Sequence, residues 1–276
     1  MIKKILKYIF FTLLIVIIIW SIYVFSKTPS LDREWNIDQK ILSEISFSWN
    51  IVSVKNIRNF KYKTVDDYEV SYYDKKFNLD EIENLYYIIE PFSEIDWPAH
   101  TMLSFWFKWN NYLTISAEIR KEVWESFSPF KGLLNEYEMV YMVWDENDLI
   151  KLRANNRKDD VIMYPIKTPK VKIRQMFISL LKKAENLTKH PEFYNTITNN
   201  CATTILNHAN LAREDKISWS KEALLPSHSD KIVYGLWLID TKLSLPEARK
   251  YYKINDLSIQ YANSPLYSQK IRKEKK

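Results

Sequence analysis

The chain has 276 residues, of which 46% are apolar and 15% aromatic, and it carries a formal net charge of +6. A chain of this length and composition can bury a sizeable core, which excludes an intrinsically disordered protein and predicts one globular domain with appendages. Its single cysteine, Cys201, excludes an intramolecular disulfide, so the fold has to be stabilised by its core.

The N-terminal segment predicts a membrane anchor. Residues 8–25 carry no charge, and at ~1.5 Å per residue a helix of this length is about enough to cross the hydrocarbon core of a bilayer. Lys3, Lys4 and Lys7 precede this run, so the positive-inside rule predicts a single-pass protein with a cytoplasmic N-terminus and an extracytoplasmic domain, periplasmic or at the cell surface. A cleaved signal peptide is the alternative, although the apolar run exceeds a typical h-region and no A-x-A-like site follows it.

The positive charge is concentrated near the two ends of the chain. The anchor lysines and the C-terminal sequence KIRKEKK contribute much of it, and this pattern suits anionic lipid surfaces better than nucleic acid. No basic helix, RNA-binding signature or zinc-finger spacing supports nucleic-acid binding. We therefore expect a membrane, and no nucleic acid, among the partners.

The rest of the sequence predicts one α+β domain without internal repeats. The predicted elements are, in chain order, a strand at 51–62, a helix start at 78–84 with Asn78 as its cap, strands at 100–108, 112–120 and 136–144, and helices at 170–188 and 200–212. We divide the chain into a cytoplasmic stub and anchor at 1–27, an extracytoplasmic domain at 28–245, and a C-terminal extension with a basic tail at 246–276.

Two of the predicted strands can be paired as a hairpin with a three-residue loop at 109–111. The resulting apolar pairs are 103 with 117, 105 with 115, and 107 with 113. The opposite, polar face then carries His100 across from Arg120 and diagonal to Glu118, at roughly 7–8 Å between Cα atoms. The pattern therefore predicts a histidine and a carboxylate on one face of a sheet.

Cys201 opens the last predicted helix, where Asn199 or Asn200 can serve as the N-cap. A cysteine in a first helical turn lies near the positive end of the helix dipole and near unpaired N–H groups, and both favour the thiolate. The same N–H groups can form an oxyanion hole. A small, inert residue buried at a helix start is the alternative interpretation.

A thiolate nucleophile needs a base, and four histidines compete for that role. His208 lies seven residues further along the same helix, about 10 Å along its axis, which is too far for a hydrogen bond. His190 and His228 fall in predicted turns, where a solvated surface role is typical. His100 is the best candidate because it opens a strand with a carboxylate on the same face to fix its tautomer. A partly buried structural histidine is the alternative.

No metal or cofactor site is predicted. A single cysteine with scattered histidines gives no zinc spacing, and residues 145–149 lack the glycine and the terminal glutamate of a calcium loop. We find no G-x-S-x-G sequence, phosphate-cradling glycine loop or dinucleotide fingerprint. Cys201 is therefore the best candidate for chemistry.

Five blocks of the sequence carry a family resemblance. They are VKNIRNFKY (54–62), AHTMLSF (99–105), LTISAEIRKE (113–122), SPFKGLLNEYEMVYMVWDENDLIKLR (128–153) and FYNTITNNCATTI (193–205). In this order and spacing they resemble the Lnb N-terminal periplasmic domain family, over roughly residues 33–240. The resemblance implies a permuted papain-like fold of the NlpC/P60 type, in which a histidine strand precedes a cysteine helix.

The resemblance also implies lipoprotein N-acylation, in which an acyl chain moves from a phospholipid to the amino-terminal cysteine of a membrane lipoprotein. By motif, Cys201 would be the acyl-accepting nucleophile and His100 its base, whereas Glu118 as the residue that orients His100 is our inference from strand geometry. The candidate substrate-binding or oxyanion residues are Asn200, Ala202, Arg120 and Tyr194. The alternatives are a cysteine peptidase or amidase acting on cell-wall peptides, and a non-catalytic anchored binding protein.

The tryptophan and glycine contents are unusual. The chain contains 10 tryptophans and only 2 glycines, whereas average proteins contain about 7% glycine. Trp106, Trp109, Trp124 and Trp144 stand where the family pattern shows small residues, and Trp109 falls in the predicted hairpin loop, where a positive φ favours glycine. We hypothesise that several of them are UGA codons that the source lineage reads as glycine. Depletion of glycine in a low-GC genome is the alternative.

Overall fold

The structure, a computed structural model, describes residues 2–91, 99–220 and 225–275. An apolar N-terminal helix precedes an α+β domain with helices on both faces of a mixed sheet. The helices are α1 (Ile2–Phe25), α2 (Ile37–Lys40), α3 (Pro129–Leu133), α4 (Glu146–Lys151), α5 (Lys170–Leu187), α6 (Cys201–Leu211), α7 (Ser229–Gly235), α8 (Leu245–Tyr251), α9 (Asn255–Gln260) and α10 (Tyr267–Lys270). A π-helical turn, Leu152–Arg157, continues α4.

The strands are β1 (Glu44–Ser48), β2 (Ile51–Arg58), β3 (Lys61–Tyr62), β4 (Tyr68–Glu69), β5 (Tyr72–Asn78), β6 (Ile82–Pro91), β7 (Ala99–Phe107), β8 (Asn111–Arg120), β9 (Glu138–Trp144) and β10 (Ile162–Pro165). The main sheet runs in the order β1-β2-β9-β8-β7-β6-β10, with β5 also paired to β2. β2 and β9 pair in parallel, and the other pairs are antiparallel. β3 and β4 form a separate hairpin.

α1 is long and apolar enough over Lys3–Phe25 to cross a membrane, with a mean hydropathy of 2.6. Its side chains are largely exposed until the last turn, where Val24 is buried against the domain. An apolar helix with a solvent-facing surface is unfavourable in water and favourable in a bilayer. The structure therefore agrees with the predicted anchor, whereas the predicted orientation across the membrane stays a prediction.

Both faces of the sheet are buried. On one face, Phe105 and Phe107 of β7 pack edge-on against Phe177 of α5, with ring centroids 5.0 and 5.1 Å apart. On the other face, Met102 of β7 belongs to a cluster that includes Ile150 of α4. A sheet covered on both sides gives long apolar runs in its strands instead of a clean alternation.

The segment predicted as a C-terminal extension packs on this second face. Ile254, Tyr267 and Ile271 are at most 1% exposed and belong to the same cluster. Arg272, in the predicted basic tail, is buried and pairs with Glu146 at 2.7 Å. Part of the tail charge is therefore neutralised inside the domain, and the expectation that it serves a lipid surface does not hold for Arg272.

The hairpin of β7 and β8 forms with a register two residues away from the prediction. Leu103 pairs with Ile115 and Phe105 with Leu113, so the predicted partners are wrong although the faces are right. The loop is 108–110, with Trp109 and Asn110 at φ values of 62° and 55°. Because side chains alternate with a period of two, this shift keeps every residue on its predicted face. It moves Glu118, instead of Arg120, opposite His100.

The helix predicted at 78–84 is only a single turn. Asn78 does cap it, because its side chain accepts the amide of Asp80 at 3.0 Å, but the 3-10 turn covers only Leu79–Glu81. The chain then enters β6, in which residues 85–90 are buried on both faces of the sheet. Burial within the sheet overrides the local helical signal.

Two of the four suspected tryptophans have the left-handed backbone that favours glycine. Trp109 and Trp124 lie at φ values of 62° and 73°. Trp106 instead belongs to strand β7, and Trp144 is the last residue of strand β9. Trp144 is 2% exposed, and its ring lies 3.8 Å from the Arg58 guanidinium. The conformational argument for glycine therefore fails at Trp106 and Trp144.

Candidate functional site

Cys201 is the first residue of α6 and is fixed there by a capping box. The Asn200 side chain accepts the amides of Ala202 and Thr203, each at 2.9 Å, and the Thr203 hydroxyl accepts the Asn200 amide at 2.8 Å. Reciprocal bonds of this kind define where a helix begins. The thiol is 5% exposed, and Sγ lies 3.9 Å from the Ala99 carbonyl oxygen at the start of β7.

His100 lies beside this thiol and opposite Glu118. Extending the observed register of β7 and β8 by two residues pairs the two positions, and Nε2 of His100 is 3.2 Å from Oε1 of Glu118. The distance is that of an ion pair, although the geometry is not that of an aligned hydrogen bond. The three side chains that the sequence selected as nucleophile, base and orienting group therefore meet at one place.

The electrostatics of this cluster favour the thiolate. Burial opposes the charged form of His100, but a hydrogen bond to Cys201 and the Glu118 carboxylate raise the pKa of its imidazole to about 9. Burial likewise opposes the Cys201 thiolate, but the His100 hydrogen bond and charge together lower the pKa of the thiol. We conclude that the thiolate and imidazolium forms stabilise each other, as paired opposite charges do.

Glu118 is held in place by donors from three segments. Its carboxylate accepts Ser116 at 2.8 Å, Gln39 at 3.1 Å and Arg153 at 3.3 Å. Ser116 in turn accepts the Trp144 indole N–H at 2.8 Å. The pKa of the Glu118 carboxyl is lowered, because His100 and these donors outweigh its burial. A carboxylate with this many donors is fixed in one orientation and can fix that of His100.

Arg153 and Glu90 belong to the same network, and the sequence reasoning missed both. The Arg153 side chain, 4% exposed, bonds Glu90 at 2.6 Å and reaches Glu118 across the sheet. Glu90 pairs with His100 in the register of β6 and β7. Burial and the Glu90 charge raise the pKa of the neighbouring Asp159 to about 6. The sequence gives only a weak indication of a functional role for either residue. Arg153 is the last residue of the block that ends in LIKLR, and Glu90 follows an apolar run.

The cluster opens into a groove of about 530 Å³. Cys201, His100 and Glu118 line it together with Tyr194 and Phe127. The Phe127 ring packs edge-on against Tyr194, with centroids 6.4 Å apart. Charged groups, including Arg153 and Arg157, also line it. Cys201 therefore lines a groove that contains both aromatic and charged side chains.

A profile of the Lnb N-terminal periplasmic domain family matches residues 68–230, more than half of the chain. The chain belongs to this family. Searches of curated proteins and of solved structures found no match. Cys201, His100 and Glu118 all lie within the matched residues. The family name, together with the apolar helix α1, indicates a single-pass membrane protein with a periplasmic-type domain.

The predicted accessory residues of this Lnb-family domain have different fates. Tyr194 lines the groove and is 7% exposed. Asn200 is the N-cap of the helix, and its side-chain oxygen accepts the Ala202 amide. The sequence had predicted the Ala202 amide as an oxyanion donor, but this hydrogen bond already uses it. The Cys201 amide is not engaged by this cap and is the better candidate.

Arg120 does not line the groove. Its guanidinium stacks on Trp35 at 4.1 Å and donates to the carbonyl oxygens of Gln39 and Lys40. Burial lowers the pKa of this guanidinium to about 10. The predicted substrate contact is replaced by a structural one, because the two-residue register shift puts Glu118 in the position expected for Arg120. Through these two hydrogen bonds Arg120 holds in place the segment that contains Gln39.

The other histidines lie outside the groove lining. His208 is buried between the Tyr141 hydroxyl, at 3.0 Å, and the Ser179 hydroxyl, at 2.9 Å. Burial lowers the pKa of its imidazole to about 4, so it is neutral and packs α6 against the sheet and α5. Arg58 is equally structural, since it pairs with the buried Asp148 at 3.0 Å.

No group of three or more potential metal ligands occurs among residues 2–91, 99–220 and 225–275. The carboxylates of the site are already paired with Arg153 and His100. The chemistry supported by these residues is therefore that of a thiolate, an imidazolium and a fixed carboxylate.

Proposed function

We propose that this protein is a membrane-anchored thiol acyltransferase of a permuted papain-like type, which moves an acyl chain from a phospholipid to a lipoprotein amine through a thioester on Cys201. The observation that carries the proposal is the cluster of Cys201, His100 and Glu118, which lies at a helix start and lines a groove. A nucleophile, a base and a group that orients the base are the parts of a covalent acyl-transfer site.

The first half-reaction uses the ion pair. The Cys201 thiolate adds to the ester carbonyl carbon, and the oxyanion that forms is stabilised by the Cys201 amide and the positive end of α6. When the tetrahedral intermediate collapses, the carbon–oxygen bond of the ester breaks and the His100 imidazolium gives its proton to the departing lysolipid oxygen. The acyl group is then held as a thioester, and His100 is neutral.

The second half-reaction reverses these roles. The acceptor amine adds to the thioester carbonyl, and neutral His100 takes the proton that the amine loses. The carbon–sulfur bond breaks, so the amide product leaves and the thiolate–imidazolium pair is restored. Glu118, which Arg153 and Ser116 hold in position, keeps the imidazole in one orientation in both steps.

Variants of the cluster test this assignment. Cys201→Ser keeps the shape but replaces a thiol of lowered pKa by a hydroxyl, which is far harder to ionise than a thiol. Acyl transfer from phospholipid to a lipopeptide should then fall by orders of magnitude, whereas folding and membrane insertion persist. Glu118→Gln should be milder, because it only loosens the orientation of His100.

The matched control is His208→Asn, which removes a buried histidine outside the groove. Near-normal transfer by Cys201→Ser, combined with complete loss in Glu118→Gln, would mean that the carboxylate and not the thiol is the reactive group. Release of free fatty acid with no lipopeptide product would instead assign the cluster to hydrolysis.

A further inference from the structure

We propose that an apolar surface beside the groove docks on the lipid surface of the bilayer that α1 crosses. This surface, called the apolar rim below, consists of Phe127, Phe130 and Ile197, whose side chains are 43%, 76% and 47% exposed. The proposal rests on the anchor and on the rim, and it does not depend on the acyl-transfer chemistry.

The end of α1 is attached directly beside the rim. The Lys27 ammonium donates to the Leu134 carbonyl oxygen at 2.9 Å and pairs with Glu136. The Tyr23 hydroxyl, one turn earlier, donates to the same Glu136 carboxylate at 2.7 Å. The residues that receive the anchor therefore follow immediately after α3, which carries Phe130.

The three rim residues lie on segments that contact one another. The Thr196 hydroxyl donates to the Pro129 carbonyl oxygen at 2.7 Å, which places the turn containing Ile197 against α3. The Phe127 ring contacts Tyr194 at the other side of the same turn. Two phenyl rings and an isoleucine therefore lie on neighbouring segments, a few residues before Leu134 and Glu136 or in contact with α3, and Leu134 and Glu136 bind the end of the anchor.

A lipid surface is the occupant that this position supports. Large apolar side chains gain free energy when they move from water into the interface of a bilayer, and aromatic rings are enriched there. Attachment through Tyr23 and Lys27 keeps the rim close to that interface without any further partner. Because Phe127 also lines the groove beside Tyr194, docking would bring the groove opening to the lipid surface.

The depth of a spin label in the bilayer tests the proposal. Full-length protein with Cys201→Ser, so that only an introduced thiol reacts, is labelled at Phe130→Cys and reconstituted in phosphatidylcholine–phosphatidylglycerol vesicles. The matched control is Ile259→Cys, because Ile259 is similarly exposed, at 62%, but lies on α9 outside the rim. Collision with oxygen reports contact with lipid, and collision with a water-soluble nickel chelate reports contact with water.

We expect the Phe130→Cys label to collide mainly with oxygen, at a depth of about 5–10 Å, and the Ile259→Cys label to collide mainly with nickel. Equal, water-like exposure of both labels would overturn the proposal. Dipolar broadening between Phe130→Cys labels would overturn it as well, since the rim would then face a second copy of the chain. The measurement uses a chain that lacks the thiol, so its outcome is independent of the proposed acyl transfer.

A second, independent observation concerns the backbone. We infer that Trp49, Trp109, Trp124 and Trp237 occupy positions at which the natural protein carries glycine. All four have φ between 52° and 73°, and their side chains are between 81% and 99% exposed. A bulky residue rarely adopts this conformation, and no packing compensates for the strain.

Each of the four lies in a turn that specifically favours glycine. Trp49 is the first residue of the two-residue turn between β1 and β2, and Trp109 is central in the loop between β7 and β8. Trp124 is the third residue of a β-turn closed by the Glu125 amide on the Glu122 carbonyl oxygen, at 3.1 Å.

Trp237 ends α7 in a Schellman motif. Its amide donates to the Tyr234 carbonyl oxygen at 2.9 Å, and the Leu238 amide donates to the Val233 carbonyl oxygen at 3.0 Å. The C′ residue of this motif, here Trp237, has a left-handed backbone and is usually glycine. The structure therefore removes Trp106 and Trp144 from the set that the sequence suggested and adds Trp49 and Trp237.

The codons and the mass of the natural protein test this inference. We expect UGA at positions 49, 109, 124 and 237, and UGG at 35 and 144, whose side chains are buried. Peptides of the protein purified from its source cells should be lighter at the first four positions by the difference between tryptophan and glycine. UGG at those four positions, or tryptophan in the peptides, would overturn the inference.

Discussion

The Cys201 thiol and the His100 imidazole shift each other's titration in opposite directions, because each is stabilised by the charge of the other. The thiolate should therefore form below the ordinary thiol pKa of about 8.5. We expect the rate of alkylation by iodoacetamide to rise at a pH below that value and to stay high at neutral pH. A pH series of alkylation rates measures this directly.

The same pair limits the reaction at high pH. His100 must carry a proton to release the lysolipid, and it loses that proton as the pH rises through about 9. Transfer should consequently fall above about pH 9 although the thiolate persists. His100→Ala should move the alkylation curve upward toward that of a free thiol, and an unshifted curve would separate the two residues.

The four tryptophans with a left-handed backbone should lower the free energy of unfolding of this chain. Replacing Trp49, Trp109, Trp124 or Trp237 by glycine should raise the free energy of unfolding by roughly 1 kcal/mol each, because the steric strain of the left-handed backbone is removed. Chemical denaturation of each variant measures the change. Trp144→Gly is the control and should cost about 3–5 kcal/mol, since it empties a buried site. Destabilisation by all five substitutions would contradict this reading of the turns.

At the scale of elements, the position of α3 depends on Gly132. A Cβ atom there would collide with the Thr196 hydroxyl and lie 3.2 Å from the Tyr194 ring. Gly132→Ala should therefore destabilise the protein by about 1–3 kcal/mol and slow alkylation of Cys201, because it displaces the turn that precedes the nucleophile.

Gly235→Ala is the matched control, because nothing lies within 4 Å of its Cβ position and it ends α7. This substitution should be neutral or stabilising by up to about 1 kcal/mol. Thermal unfolding of both variants compares the two glycines. Equal effects would show that α3 does not need the close contact with Thr196.

The elements also show what the sequence could and could not predict. The helices that begin near 170 and 200 were predicted well, because their apolar periodicity and the Asn200 cap are local signals. The faces of β7 and β8 followed from alternation, but their register did not, because alternation does not decide whether the three-residue loop covers 108–110 or 109–111. β6 and β10 were missed, since strands buried on both faces lose their alternation.

The site shows the same division. Cys201 and His100 were identified by local chemistry and by the family resemblance, and Glu118 by strand geometry. Arg153 and Glu90 could not be found in this way, because their pairing joins a π-helical turn to the end of β6 across the sheet. Contacts between residues 63 positions apart leave no periodic signal in a sequence.

At the scale of the whole molecule, the lysines before α1 predict its orientation. A reporter fused after Lys276 should be active only outside the cytoplasm, because the lysine-rich flank stays inside. Paired fusions of alkaline phosphatase, which needs an oxidising compartment, and of a cytoplasm-dependent fluorescent protein measure this. Replacement of Lys3, Lys4 and Lys7 by glutamine should weaken the preference. Cytoplasmic activity of the unmodified fusion would reverse the topology and separate the groove from its expected substrates.

The central claim is that Cys201 carries the acyl group, and intact-mass analysis tests it most directly. Purified full-length protein is incubated with a phospholipid of defined acyl chains and without an acceptor amine, and its mass is then measured. We expect one added acyl group that is released by hydroxylamine, maps to the peptide containing Cys201 and is absent from Cys201→Ser. An unmodified mass under conditions in which lysolipid is produced, or an acyl group on Cys201→Ser, would contradict the thioester mechanism.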